Sequence, residues 1–263
     1  MRLANQHALI LLAGFVVAIV AAGVASSLVP EPGAIFILVA CVAFNVTVVR
    51  RRAWKWIWHR AGIRLQRAFA REDIDAALEI IDSLSAQSPT TAVREQFVAN
   101  RGVAMIMDEQ WKSGIAVLRG LDRKLVTKSM RLLIDNAIAW ALIHDGAIEE
   151  GLGLARATVD AARVEPAIEP KSRGACIGTL GAALVLANMP EAGIGLLREA
   201  LALVGPPRTQ ATRLLYIGDA EQALGRAAEA RAAWEEAARL APDSRWGRRA
   251  AERLKSAPPM PYR

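Results

Sequence analysis

Charged side chains are nearly missing from the first 49 positions of this 263-residue chain, where Arg2 and Glu31 stand alone. Chemistry-bearing residues are just as sparse. The three histidines, His7, His59 and His144, share no metal-ligand spacing, and the two cysteines, Cys41 and Cys176, form no CxxC pair. No phosphate loop of the Walker type, no GxGxxG, no GxSxG and no HExxH occurs. The adjacent pairs Glu149-Glu150 and Glu235-Glu236 point about 100° apart on a helix, so they read as solvated surface, not as an acid and base working together. These absences give no catalytic residues, no metal and no cofactor, and the chain is expected not to be an enzyme.

What is present divides by position. Ala8 to Val29 is a run of 22 uncharged residues, which as a helix spans about 33 Å, enough for a bilayer core of about 30 Å. After the turn Pro30-Glu31-Pro32-Gly33, a second uncharged run of 17 residues extends from Gly33 to Val49. Arg50, Arg51 and Arg52 follow, then Trp54, Trp56 and Trp58, the pattern of a membrane interface. The expectation is a membrane anchor over 1–49, with two transmembrane helices at about 8–29 and 33–49, and a basic, Trp-rich juxtamembrane helix over 50–71. Basic flanks place both ends in the cytosol, a multi-pass arrangement at the cytoplasmic membrane. Cleavage of the first run as a signal peptide is the rival reading. Gly14, Ala18, Ala22 and Ser26 form a small-residue stripe on the first helix, suited to packing against the second or to a homodimer. Eight basic residues and no acid lie between 50 and 71, a patch suited to anionic membrane lipids. Beyond it, 24 basic residues meet 25 acidic ones, which leaves no basic field for nucleic acid.

From residue 72 on, apolar residues recur at helical spacing with little that reads as strand. A repeated unit is clearest from Ala211 to Ser244, with Gly218 in a first helix, Gly225 at a turn, Ala230, Trp234 and Ala237 in a second helix, and Pro242 beyond its end. Equivalent first-helix positions, 65, 102, 139, 181 and 218, stand 37, 37, 42 and 37 residues apart. This pattern of small, bulky and terminating residues resembles a tetratricopeptide repeat (TPR). The resemblance covers about 58–244, with units opening near 58, 95, 132, 174 and 211. It departs from the family in its longer period, in Leu65 where a small residue is expected, and in prolines missing or displaced from three units. The fold expected is all-α: a transmembrane hairpin, a TPR-like α-solenoid of about five helix pairs, a capping helix over 245–256 and a disordered tail over 257–263.

Domains of the TPR kind bind peptides or helices on the concave surface lined by each unit's first helix. The repeat register puts Met107, Asn136, Trp140, His144 and Leu186 on or near that surface, with Val103 and Ile106 beside them. The Lys, Arg and Asn set by which some such domains hold a terminal carboxylate is not apparent at these positions. The resemblance implies a membrane-anchored adaptor or scaffold that binds a protein or peptide on the cytosolic face without catalysis. The alternative is an accessory subunit of a larger membrane complex, held through its hairpin. The layout is similar to that of bacterial inner-membrane TPR proteins that accompany biosynthetic or assembly machinery.

Overall fold

The computed structural model describes residues 58–88, 90–203 and 205–256. The chain divides into two compact units, 1–67 and 68–263; of the first, residues 58–67 are described and are helical. In chain order the helices are α1 (58–70), α2 (Ile74–Ala86), α3 (Thr91–Met107), α4 (Trp111–Arg119), α5 (Lys128–His144), α6 (Ile148–Val164), α7 (Pro170–Leu186), α8 (Pro190–Ala202), α9 (Pro207–Ala223), α10 (Ala227–Leu240) and α11 (Arg245–Ser256).

Local chemistry sets these boundaries. Asp73, Thr90 and Thr127 each accept a hydrogen bond from the backbone N–H three residues on, which caps α2, α3 and α5. Pro170, Pro190 and Pro207 open α7, α8 and α9, where a missing N–H costs nothing. The first helix of each pair ends in a residue of left-handed backbone: Glu72 (φ 56°), Glu109 (φ 61°), Gly146 (φ 91°), Asn188 (φ 60°) and Gly225 (φ 75°). These positions repeat the 37, 37, 42 and 37 spacing. At all five the next N–H reaches back five residues, as from Gln110 to Met105 and from Ala147 to Leu142, satisfying carbonyls that the helix end would otherwise orphan.

Each helix from α2 to α11 packs on the next, and α3, α5, α7, α9 and α11 also pack each on its counterpart in the following pair. That is the contact pattern of a solenoid. Within a pair, small residues sit where the helices cross. A Cβ on Gly114 would lie 2.9 Å from the Gly102 carbonyl oxygen, and one on Gly193 would lie 2.8 Å from that of Gly181. Large residues fill the remaining seams. Three apolar clusters overlap along the axis, with Trp140 packed against two of them and Leu154 against two.

Among the described residues no helix is long and apolar enough to cross a membrane. The longest of α2–α11 have 17 residues, about 26 Å. This corrects the expectation of a transmembrane hairpin ahead of the repeats. It corrects with it the multi-pass placement in the cytoplasmic membrane, the partnership with membrane lipids or a membrane complex, and the subunit held through its spans. The segments 8–29 and 33–49 that carried the expectation lie outside the described residues. So do Gly14, Ala18, Ala22, Ser26, Arg50, Arg51, Arg52, Trp54 and Trp56, while Trp58 sits half-buried in α1. What stands is an all-α, TPR-like solenoid of stacked helix pairs.

Two glycines of α8 test the packing rule. Gly193→Ala drives a methyl into the Gly181 carbonyl and the Val185 side chain, and is expected to cost about 1–3 kcal/mol. Gly195→Ala, two residues on and with no neighbouring atom within 4 Å, should instead be neutral or stabilising by up to about 1 kcal/mol. Urea denaturation of the two variants measures both, and equal effects would contradict the crossing geometry.

Candidate functional site

The first helices present one stripe each to the concave side, at spacings of three and four residues that keep side chains on one face. Together they wall a cavity of about 330 Å³. Val103, Ile106 and Met107 come from α3, Asn136, Ala137 and Trp140 from α5, Ala175, Gly178, Thr179 and Ala182 from α7, and Thr209, Thr212, Arg213 and Tyr216 from α9. Ala137, Thr179 and Tyr216 occupy one position of the repeat, and Val103, Trp140 and Ala182 another. The helix α11 supplies Arg245 and Trp246, and Glu72, Trp111, Leu197 and Arg208 complete the lining.

One wall is aromatic. The Trp140 ring lies 4.2 Å from His144 between centroids, and meets Tyr216 and Trp246 edge-on at 6.0 and 5.7 Å. The Trp111 ring lies 5.1 Å from His144 between centroids, tilted by 36°. Such pairs contribute beyond the area they bury. His144 is the polar centre of the group. Its Nδ1 is 2.8 Å from the Trp140 carbonyl oxygen and its Nε2 is 2.8 Å from the Tyr216 hydroxyl. A carbonyl only accepts, so Nδ1 carries the proton and donates, and Nε2 accepts from the Tyr216 O–H. Burial holds the His144 pKa below its ordinary value, reinforced by the nearby Arg249 and Arg245 and opposed by the Trp140 bond and Glu109. Burial likewise pushes Tyr216 up, which keeps its proton available for donation.

The opposite wall is polar. Arg213 is buried, and its guanidinium lies across Gly174 and Gly178, where a Cβ would come within 3.1 and 3.2 Å of it. Its Nη1 donates to the Ala200 carbonyl oxygen at 2.6 Å, at the C-terminus of α8, where a cation is favoured. Its Nε and the Oδ1 of Asn136 are buried without a hydrogen-bond partner in the protein. The cavity thus offers an apolar aromatic body and a few polar groups that fix orientation, the composition of a binding pocket. Among the described residues no group of three His, Cys, Asp or Glu side chains is placed to hold a metal ion. Cys176 is buried, its thiol pushed up to about 11, an inert packing residue.

The fold is TPR-like. A crystal structure of Bacillus thuringiensis PlcR in complex with the peptide PapR7 and DNA overlays with a TM-score of 0.63 at 14% identity, over 87% of this chain and 86% of that one. At that identity the likeness concerns the fold alone. Two structures of Podosopora anserina kinesin light chain nearly identical TPR-like repeats also match. Both are 16% identical, with TM-scores of 0.48 and 0.47, over 70% and 72% of this chain and 94% and 97% of theirs. No protein-family model matches, and no curated protein does.

Of the residues the sequence register put on the concave surface, Met107, Asn136 and Trp140 stand on the cavity wall. His144 stands behind Trp140, joined to Tyr216. Leu186 lies outside the cavity and is 42% exposed. Sequence reasoning missed Tyr216, Arg213, Arg245 and Trp246. Tyr216 follows from sliding the α5 stripe forward by the repeat interval, at the position of Ala137, whereas Arg213 stands at the position of Ile134 and Cys176, off the stripe, and the interval gives no signal for it. The last two follow from continuing the interval of 37 into the C-terminal helix, which puts Arg245 and Trp246 at the positions of Arg208 and Thr209. The helix α11, expected as a cap with Trp246, Ala250 and Leu254 on one face, packs on α9 and α10 in the position of a further first helix, with Trp246 in the concave cluster.

The buried neutral His144 makes stability depend on pH. Its folded value lies below the unfolded value of 6.5, so its contribution is complete above 6.5 and is lost as pH falls from there toward the folded value. The melting temperature is expected to fall between about pH 7 and pH 5.5, and His144→Gln should flatten that slope. An unchanged slope in the variant would assign the dependence elsewhere.

Proposed function

We propose that the chain is a TPR-like scaffold that binds a segment of another protein on its concave face and does no chemistry of its own. The observation that carries this reading is the cavity itself. It joins the first helices of successive pairs, is walled by Trp140, Tyr216 and Trp246, and holds two buried polar atoms, Asn136 Oδ1 and Arg213 Nε, that lack a protein partner. A volume of about 330 Å³ suits a few side chains of an inserted segment, at the small end of the roughly 300–1,000 Å³ of ligand pockets. Aromatic walls and Met107 supply the contacts that dominate such interfaces. The overlaid PlcR structure holds a peptide, which agrees with peptide binding by this architecture without assigning this chain's partner.

In this reading Met107, Asn136 and Trp140 touch the partner, and His144 holds Trp140 in place through its two hydrogen bonds. Leu186 has no part in the cavity.

Full-length chain and a Trp140→Ser, Met107→Ser variant, compared as proximity-labelling baits in cells, test the reading. Proteins labelled by the parent should be lost or reduced about tenfold or more with the variant, while its helical circular dichroism is retained. A label set that survives the substitutions in a folded variant would refute the concave site.

A further inference from the structure

The cavity is bounded on one side by a contact between sequence-distant parts of the chain, and that contact is ionic. Glu109 Oε1 accepts from Arg245 at 3.0 Å and from Arg249 at 2.6 Å. Glu72 Oε2 accepts the backbone N–H of Arg245 at 3.1 Å and lies 3.9 Å from the Arg248 guanidinium. Arg245 also donates to the Met107 carbonyl oxygen, and Arg208 donates to that of Phe69 at 2.7 Å. Four guanidinium groups, of Arg208, Arg245, Arg248 and Arg249, therefore converge near two carboxylates. Glu72, Arg208 and Arg245 all line the cavity.

The two carboxylates come from an unusual place. Glu72 and Glu109 occupy the left-handed position that ends the first helix of each pair, filled by Gly146, Asn188 and Gly225 in the other units. Glutamate has no local reason to be there: a left-handed backbone costs an ordinary L-residue energy that glycine escapes, and asparagine is the tolerated alternative. Both strained residues face the same helix, α11, and both meet its arginines. Strain kept at two such positions needs a return, and the ionic contact is the one they share.

We propose that Glu72 and Glu109 are an internal stand-in for the ligand's own charges: they hold α11 against the start of the solenoid, and a partner segment bearing acidic side chains beside an apolar one takes the place of Glu109 on Arg245 and Arg249 and of Glu72 beside Arg248. The inference rests on the concave-face reading and adds to it the chemistry of the partner and the step that admits it. The apolar residue lies on the Trp140 and Trp246 wall, and the acidic residues neutralise the arginines that the two glutamates release. The exchange begins at the Glu109–Arg249 pair, half-exposed at 40% and 43% and therefore weak, while Arg245 at 20% and Glu72 at 14% lie deeper.

The test uses the full chain and three fluorescein-labelled, C-terminally amidated hexapeptides: Glu-Ala-Leu-Trp-Ala-Glu, its Gln-for-Glu counterpart and its Lys-for-Glu counterpart. Amidation removes the terminal carboxylate, so only side-chain charge is read. The protein variant is Glu72→Asn with Glu109→Asn, which deletes both carboxylates and keeps a residue type the fold already accepts at Asn188. Fluorescence anisotropy should show the acidic peptide binding this variant about tenfold more tightly than the parent, with the Gln peptide changed by less than about twofold. Arg245→Gln with Arg249→Gln should abolish the preference for the acidic peptide. Equal tightening of the acidic and Gln peptides, a preference for the Lys peptide, or no binding of the acidic peptide to the Asn variant would each overturn the proposal. Gln-peptide binding that requires Trp140 and Met107 but shows no gain from acid would sink this inference and leave the concave site standing.

Discussion

In each helix pair the chain reverses through a residue of left-handed backbone, and the geometry of the concave face depends on that reversal. The turn brings the second helix back antiparallel with its register fixed, so that small residues twelve positions apart, such as Gly102 with Gly114 and Gly181 with Gly193, meet at the crossing. Close crossing lets Leu118, Leu197 and Trp234 bury nearly completely in the seams. With the pairs held this tightly, successive first helices turn the same stripe inward. A cavity walled by four such helices and α11 follows from repetition of one local rule.

The site is built from the same repetition used unevenly. Positions that carry alanine or threonine in one unit carry an aromatic in another: Ala137 and Thr179 give way to Tyr216, and Ala182 to Trp140. Alternation of small and large residues leaves a hollow where uniform large residues would fill it and uniform small ones would open it to solvent. The His144 imidazole locks this arrangement, since one ring nitrogen is committed to α5's own backbone and the other to Tyr216 on α9. A buried polar network that is fully satisfied specifies one arrangement of the rings around it.

The repeat spacing was legible from the small crossing residues Gly102, Ala139, Gly181 and Gly218, and the left-handed turn residues of the structure repeat the same intervals. Helix content, pair boundaries and part of the concave stripe follow from it. Leu186 stands off the cavity wall, 42% exposed, although its equivalents by interval are Met107 on the wall and His144 beside Trp140. The role of α11 was hidden by its composition. Arg245, Arg248, Arg249 and Arg253 read as a solvated face until the fold brings Glu109 and Asp219 to them, a contact between residues up to 140 apart. The anchor expected from the uncharged runs has no counterpart among the described helices, whose apolar residues are spent on packing against neighbouring helices.

Site-specific photocrosslinking in cells addresses the central claim whatever the identity of the partner. A benzophenone amino acid placed at Asn136 on the cavity wall, or at exposed Arg156 on the outer helix α6, reports what touches each surface. The account predicts a discrete crosslinked partner band from position 136 and none from position 156. The same band from position 156, with none from 136, would contradict it.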